Sequence, residues 1–201
     1  MAGGGLGPVR AASCDVPIFA YHHGMVIFTE GGREERVRVE IADTEDRVEV
    51  GLMCRPALDP DAGMLFVFGA PTRTPFWMKN TFIPLAIAFM DSDWHIVRIM
   101  EMPVAPDPTT GPFPTYGPEK PYRFALEVNA GYFAKHDLDD HAQVRFVPQE
   151  GGGARPGGPD RQVALHNSER TRGEKQPGTT NLPASLTVDW SAIRDSADKA
   201  I

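Results

Sequence analysis

Early in the chain, apolar and polar residues alternate with a period of two. Val37, Val39 and Ile41 are interleaved with Arg36, Arg38 and Glu40, which predicts a strand with one buried and one wet face. A further strand is expected from Met25 to Thr29, and Glu30-Gly31-Gly32-Arg33 has the length of a hairpin loop. Asp43 or Thr44 then caps a short helix. Glu45 and Asp46 suit the positive end of its dipole, Val48 and Leu52 face inward, and Pro56 prevents continuation. The apolar run from Gly63 to Phe68 is too brief for a buried helix and reads as a core strand. Another strand is expected from Phe76 to Thr81. A second hairpin joins Pro84–Met90 to Trp94–Met102 across Asp91-Ser92-Asp93. Residues 103–121 contain seven prolines and no period, and read as a long surface loop of a kind that often carries function. Tyr122 to Asn129 is a strand, Ala130 to His136 a helical turn or two, and Gln143 to Val147 a last strand.

About eight strands with short helices between them predict a mostly β domain, a single sandwich or barrel, and not alternating βαβ units. The 201 residues leave room for one such domain and tails. Glycine and proline, 20 and 19 of them, gather at the two ends and in the 103–121 loop, so they mark linkers without diluting the core. The organisation read from this is a flexible N-terminal segment (1–15), a β-sandwich domain (16–148), a disordered Gly/Pro-rich linker (149–184) and a tail (185–201). In the tail Trp190, Ile193 and Ala197 follow Asp189 at helical spacing. A net charge of −7 without a basic run argues against nucleic acid, and no apolar stretch is long enough to predict a transmembrane segment. The start carries neither a basic nor an apolar leader region, which reads as cytoplasmic. Cys14 and Cys54 could pair in an oxidising compartment, but two unrelated buried thiols is the expected state.

Four segments together carry a resemblance: Arg47-Val48-Glu49-Val50-Gly51-Leu52-Met53-Cys54-Arg55, Gly63-Met64-Leu65-Phe66, Phe76-Trp77-Met78-Lys79-Asn80-Thr81-Phe82-Ile83-Pro84-Leu85, and Leu126-Glu127. From about Met25 to Val147 the chain resembles the domain-of-unknown-function 192 family. The resemblance implies a β-sandwich of jelly-roll type, found in bacteria and archaea and often exported, with no catalytic activity established for the family as a whole. Its members usually place an aspartate after the Pro-Leu pair, where this chain has Ala86, and Gly-Asp where it has His141-Ala142.

Candidate chemistry concentrates in the central block. On an extended strand Trp77, Lys79 and Thr81 share one face, and Phe76, Met78 and Asn80 the other. A lysine in so apolar a run, and Glu127 between Leu126 and Val128, are both costly to bury alone; a Lys79–Glu127 ion pair would satisfy both. A ligand cleft would place Trp77 on a planar group and Lys79 on an anion, with Arg47 and Arg55 adding forked contacts and Asn80 a further polar one. The alternative is a core tryptophan beside a structural ion pair. No histidine spacing suits a metal, and neither a nucleophile elbow nor a phosphate loop is present, so no metal or cofactor is expected. Three functions follow in order. The first is a non-catalytic module binding a small anionic or aromatic ligand or a short peptide near Trp77 and Lys79. The second is an accessory or scaffolding protein that meets a protein partner through loop 103–121 and the tail. The third is a hydrolase, lyase or isomerase using Glu127 as base and Lys79 as electrostatic stabiliser.

Overall fold

The computed structural model describes residues 14–149. The expected N-terminal segment up to residue 13, most of the linker and the tail lie outside the described residues. Nine strands and two short helices follow in the order β1 (His22–Glu30), β2 (Arg33–Ala42), α1 (Glu45–Val50), β3 (Ala62–Thr72), β4 (Phe76–Trp77), β5 (Leu85–Met90), β6 (Ile96–Met102), β7 (Thr115–Tyr116), β8 (Tyr122–Asn129), α2 (Tyr132–Lys135) and β9 (Gln143–Pro148). The domain is mostly β, as expected. Among the described residues no helix is long and apolar enough to cross a membrane.

Seven strands form one mixed sheet in the order β6-β5-β8-β3-β2-β1-β9, and β4 pairs with β7 separately. The hairpin β1–β2 closes on Gly31 and Gly32, both at positive φ (57° and 78°), the conformation that a two-residue loop needs to match strand twist. The β2–β3 pair is parallel, bridged by α1, and all other pairs are antiparallel. Thr44 caps α1, and Gly51, at φ 48°, ends it well before Pro56.

Alternation sorts the side chains onto two faces. The inner face collects Val26, Phe28, Val37, Val39, Leu65, Ala88, Ile96, Leu126, Val144 and Phe146, so every strand of the large sheet contributes. Trp94 lies in this core, stacked on Phe124 of β8 at 4.0 Å and facing Phe146 of β9 at 5.9 Å. A flat sheet would hold β6 and β9 about 29 Å apart, six strand spacings of about 4.8 Å. The sheet therefore curls, bringing its two ends over one core. On the outer face Met64, Phe66, Phe76, Met78, Leu85, Ile87, Phe89, Met102 and Tyr122 make a second apolar cluster over β5, β8 and β3.

Two expectations are corrected. The strand expected over 76–81 stops at Trp77, because Asn80 takes φ 52° and its backbone is used elsewhere: its N–H donates to Pro108 O at 2.6 Å and its carbonyl accepts from Cys54 N at 2.8 Å. The 103–121 segment is not wholly loop. It supplies β7, buries Ala105 and packs Phe113 on Trp77 at 5.8 Å, so it covers part of the outer face.

Candidate functional site

Strand register sets one row of outer-face side chains running across the sheet. Ile87 stands opposite Glu127, Glu127 opposite Met64, Met64 opposite Glu40 and Glu40 opposite His23. The next row runs through Ala62, Arg38, Met25 and Val147. The apolar cover lies over β5, β8 and β3, reaches β2 only at its last residue, Ala42, and stops short of β1 and β9. Over that uncovered half lies a cleft of about 830 Å³ lined by Met25, Arg38, Glu40, Arg55, Leu58 and Val147, among others. Its polar walls are made of opposite charges. Arg55 binds Glu40, and Arg38 lies 3.7 Å from Asp59.

A second hollow of about 340 Å³ adjoins it, sharing Glu40 and Arg55 and floored by Val50 and Met53 beneath residues 16–21. Two anchors hold that strap. Cys14 is disulfide-bonded to Cys54, 40 residues on, and Arg47 donates to Ala20 O at 2.8 Å. The expectation of two unrelated thiols is thus wrong: the strap turns back over the helix end, and its cysteine meets Cys54 at a Cα separation of 5.6 Å. Between the anchors the Tyr21 ring lies within 5.9 Å of the Arg47 guanidinium and 5.8 Å of that of Arg55. Arg47 also binds Asp43 at 2.6 Å. Burial raises the Tyr21 phenol above its ordinary pKa, an effect that the nearby Arg55 opposes. Among the described residues the exposed large hydrophobics are Ile18 and Val147, one in each hollow.

Trp77 and Lys79 are brought together. The ammonium lies 5.1 Å from the centre of the indole ring, a cation–π contact, while Trp77 Nε1 is buried without a hydrogen-bond partner. Glu127 lies apart from them. It is only 5% exposed and has no hydrogen-bond or ion-pair partner among the described residues, with Met64 and Ile87 on either side. Burial alone pushes its carboxyl up to about 8. The Lys79–Glu127 pair is not formed. Asn80 contributes its backbone, as described. Ala86 is fully buried in the inner core, on the opposite face from Glu127.

Of the residues singled out in the sequence, Arg55 alone lines the large cleft; Arg47 reaches only the second hollow, through Tyr21. Tyr21, Arg38, Glu40, Asp59 and Val147 were missed. Their signal was the alternating charge of the β2 wet face, where Arg38 and Glu40 await partners of opposite sign. Two surface trios, Asp91 with Asp93 and His95 and Asp139 with Asp140 and His141, gather metal-type ligand atoms. Asp91 and Asp139 accept hydrogen bonds from backbone amides of their own turns.

No curated protein matches the chain. Among solved structures it is similar to a "putative transcription regulator" from Sinorhizobium meliloti 1021, at 32% identity and a TM-score of 0.57 over 65% of this chain and 98% of that one. It is also similar to a protein of unknown function from Novosphingobium aromaticivorans DSM 12444, at 29% identity and a TM-score of 0.56 over 71% and 99%. The family model DUF192, described as an uncharacterized ACR, matches residues 26–146, nearly the whole of the curled sheet and its cover, and the chain belongs to that family.

Proposed function

We propose that the chain is a non-catalytic binding module of jelly-roll type, and that its ligand is a short peptide lying across the Arg55–Glu40 pair. The observation that carries this reading is the open half of the outer face. There a cleft of about 830 Å³, within the usual size of ligand sites, runs into a second hollow, and an exposed aliphatic side chain stands in each. Arg38 and Arg55 offer donors to peptide carbonyls, Glu40 and Asp59 offer acceptors to amides, and Val147, Met25 and Ile18 offer apolar contact at either end. Trp77, by contrast, already meets Phe113 and the Lys79 ammonium, which moves the expected site away from it. A catalytic use of Glu127 with Lys79 has less support, since the two do not meet and Glu127 is not among the cleft-lining residues. The charge of −7 keeps nucleic acid outside the proposal. The disulfide favours an oxidising compartment over the cytoplasm.

Peptides selected on the full chain from a random display library are expected to lose binding to Arg38→Glu and Val147→Asp and to keep it with Lys79→Ala. Selected peptides that bind both cleft variants undiminished overturn the reading, and so does a library that yields no binder.

A further inference from the structure

We propose that the Cys14–Cys54 disulfide is a redox latch on the peptide site: oxidised, it holds the strap as a wall of the second hollow, and reduction by a dithiol releases it. This rests on the cleft and its adjoining hollow being a peptide site. Little else holds the strap. Residues 14–21 belong to no helix or strand, and among the described residues no backbone–backbone hydrogen bond ties them to the sheet. Apart from the disulfide, the polar anchors are Arg47, donating to Ala20 O at 2.8 Å, and the Tyr21 ring beside the guanidinium groups of Arg47 and Arg55. Both act at the end of the strap nearest β1. Between Cys14 and Ala20, Asp15, Pro17 and Ile18 are exposed, and Val16 and Phe19 only half-buried. One hydrogen bond and a ring contact offset the entropy of ordering about two or three residues. The stretch from Asp15 to Phe19 is longer than that, so the covalent bond keeps it in place.

The two ends of the latch are unlike. Cys54 takes φ 64°, in the left-handed region, and its N–H donates to Asn80 O at 2.8 Å. That bond does not depend on Cys14, so the Cys54 thiol keeps its place on reduction while Cys14 leaves with the strap. Both cysteines are half-buried and not sealed, so a thiolate from solvent can reach the bond. One thiolate of the dithiol attacks a sulfur and forms a mixed disulfide. The S–S bond breaks, and the departing sulfur takes the electron pair and then a proton. The second thiolate closes the reductant's own disulfide and frees the other cysteine, which is protonated in turn. Two electrons and two protons thus pass to the protein. Cys54 directly precedes Arg55, whose pair with Glu40 is shared by cleft and hollow, and the strap carries Ile18, the exposed aliphatic side chain of the hollow. Release removes Ile18 and leaves Arg55 and Glu40, so the reduced chain keeps the cleft contacts and loses those of the hollow.

The test uses peptides selected from the display library on the oxidised full chain. Reduction with dithiothreitol, followed by mass after alkylation, is expected to weaken their binding roughly tenfold, the worth of one aliphatic contact, and reoxidation to restore it. Chymotrypsin should cut the reduced chain after Phe19 while β5, β8 and β3 stay uncut. Ile18→Asp in the oxidised chain should weaken the same peptides with the strap still protected. Undiminished affinity after full reduction, or in Ile18→Asp, overturns the latch. So does a disulfide that excess dithiothreitol leaves intact in the folded chain, a reduced strap that stays uncut, or cutting spread evenly over the sheet. In each of those cases, peptides that still lose binding to Arg38→Glu leave the peptide site standing without its switch. Peptides indifferent to both Arg38→Glu and Val147→Asp, or a library without binders, overturn the site and the latch together.

Discussion

Glu40 and Glu127 lie in the same row of the same sheet face, separated by Met64 alone, yet they live in opposite environments. Glu40 is half-exposed and held by Arg55 at the edge of a cleft. Glu127 is buried under the apolar cover with no partner among the described residues, and its carboxyl is pushed up to about 8. The backbone treats the two alike, so the difference comes from where the covering segments stop. A charge at the rim can find a counter-ion and stay ionised; one beneath the cover stays neutral, because desolvation penalises only its charged form.

That contrast gives the largest effect. In the fold Glu127 holds its proton up to about pH 8, whereas an unfolded glutamate releases it near 4.5. The folded state therefore binds more protons between those values, and stability falls as pH rises through the window. The full change is on the order of 5 kcal/mol at about 1.4 kcal/mol per pH unit. Glu127→Gln removes the titration. It should match the parent near pH 4.5 and exceed it in urea-unfolding stability above pH 8. Parallel curves for the two proteins across that range would mean that Glu127 is ionised and paired in the fold.

Next in size is the strap on the open side. Closing the 40-residue separation between Cys14 and Cys54 restricts the unfolded chain, which in the loop-entropy model stabilises the fold by about 4 kcal/mol. Cys14→Ser with Cys54→Ser should lose a stability of that order. Amide protection should drop first around Tyr21, Arg47 and Arg55 and be kept in β5, β8 and β3. Equal loss of protection on both halves of the face would show that the disulfide holds the whole domain and not the open side alone.

Where local pattern determines structure, the sequence was informative. Alternation at Val37, Val39 and Ile41 marked β2, Gly31-Gly32 marked the hairpin, and Asp91-Ser92-Asp93 marked the turn between β5 and β6. The parallel β2–β3 pairing was not readable, because it depends on which apolar faces meet after the crossover through α1. The shortened β4 was missed for a related reason, since Asn80 turns to satisfy Cys54 and Pro108, residues far away in sequence. At the site, the cost of burying charge rightly flagged Glu127, but it could not say that the answer would be neutralisation and not a lysine. The cleft itself was invisible, because a half-open face is a property of the cover's extent and not of any one strand. Gly63 shows how closely β3 and β8 pack: a Cβ there would lie 2.5 Å from the Glu127 carbonyl oxygen, so the two strands approach this closely only with glycine.

The smallest effect bears on Lys79, which the sequence made the centre of the site and the structure places over Trp77 at the edge of the cover. If its main role is that cation–π contact, Lys79→Ala should cost only about 0.5–1 kcal/mol, typical of such a contact where solvent reaches it. Lys79→Arg should recover most of that, since a guanidinium also stacks on indole. Neither change should alter the pH slope set by Glu127, because the two groups make no ion pair. A Lys79→Ala protein whose stability instead becomes strongly pH-dependent between 4.5 and 8 relative to the parent would reveal an electrostatic link between them. The boundary between covered and open halves would then run past Glu127, since a carboxyl that feels a half-buried ammonium is no longer isolated beneath the cover.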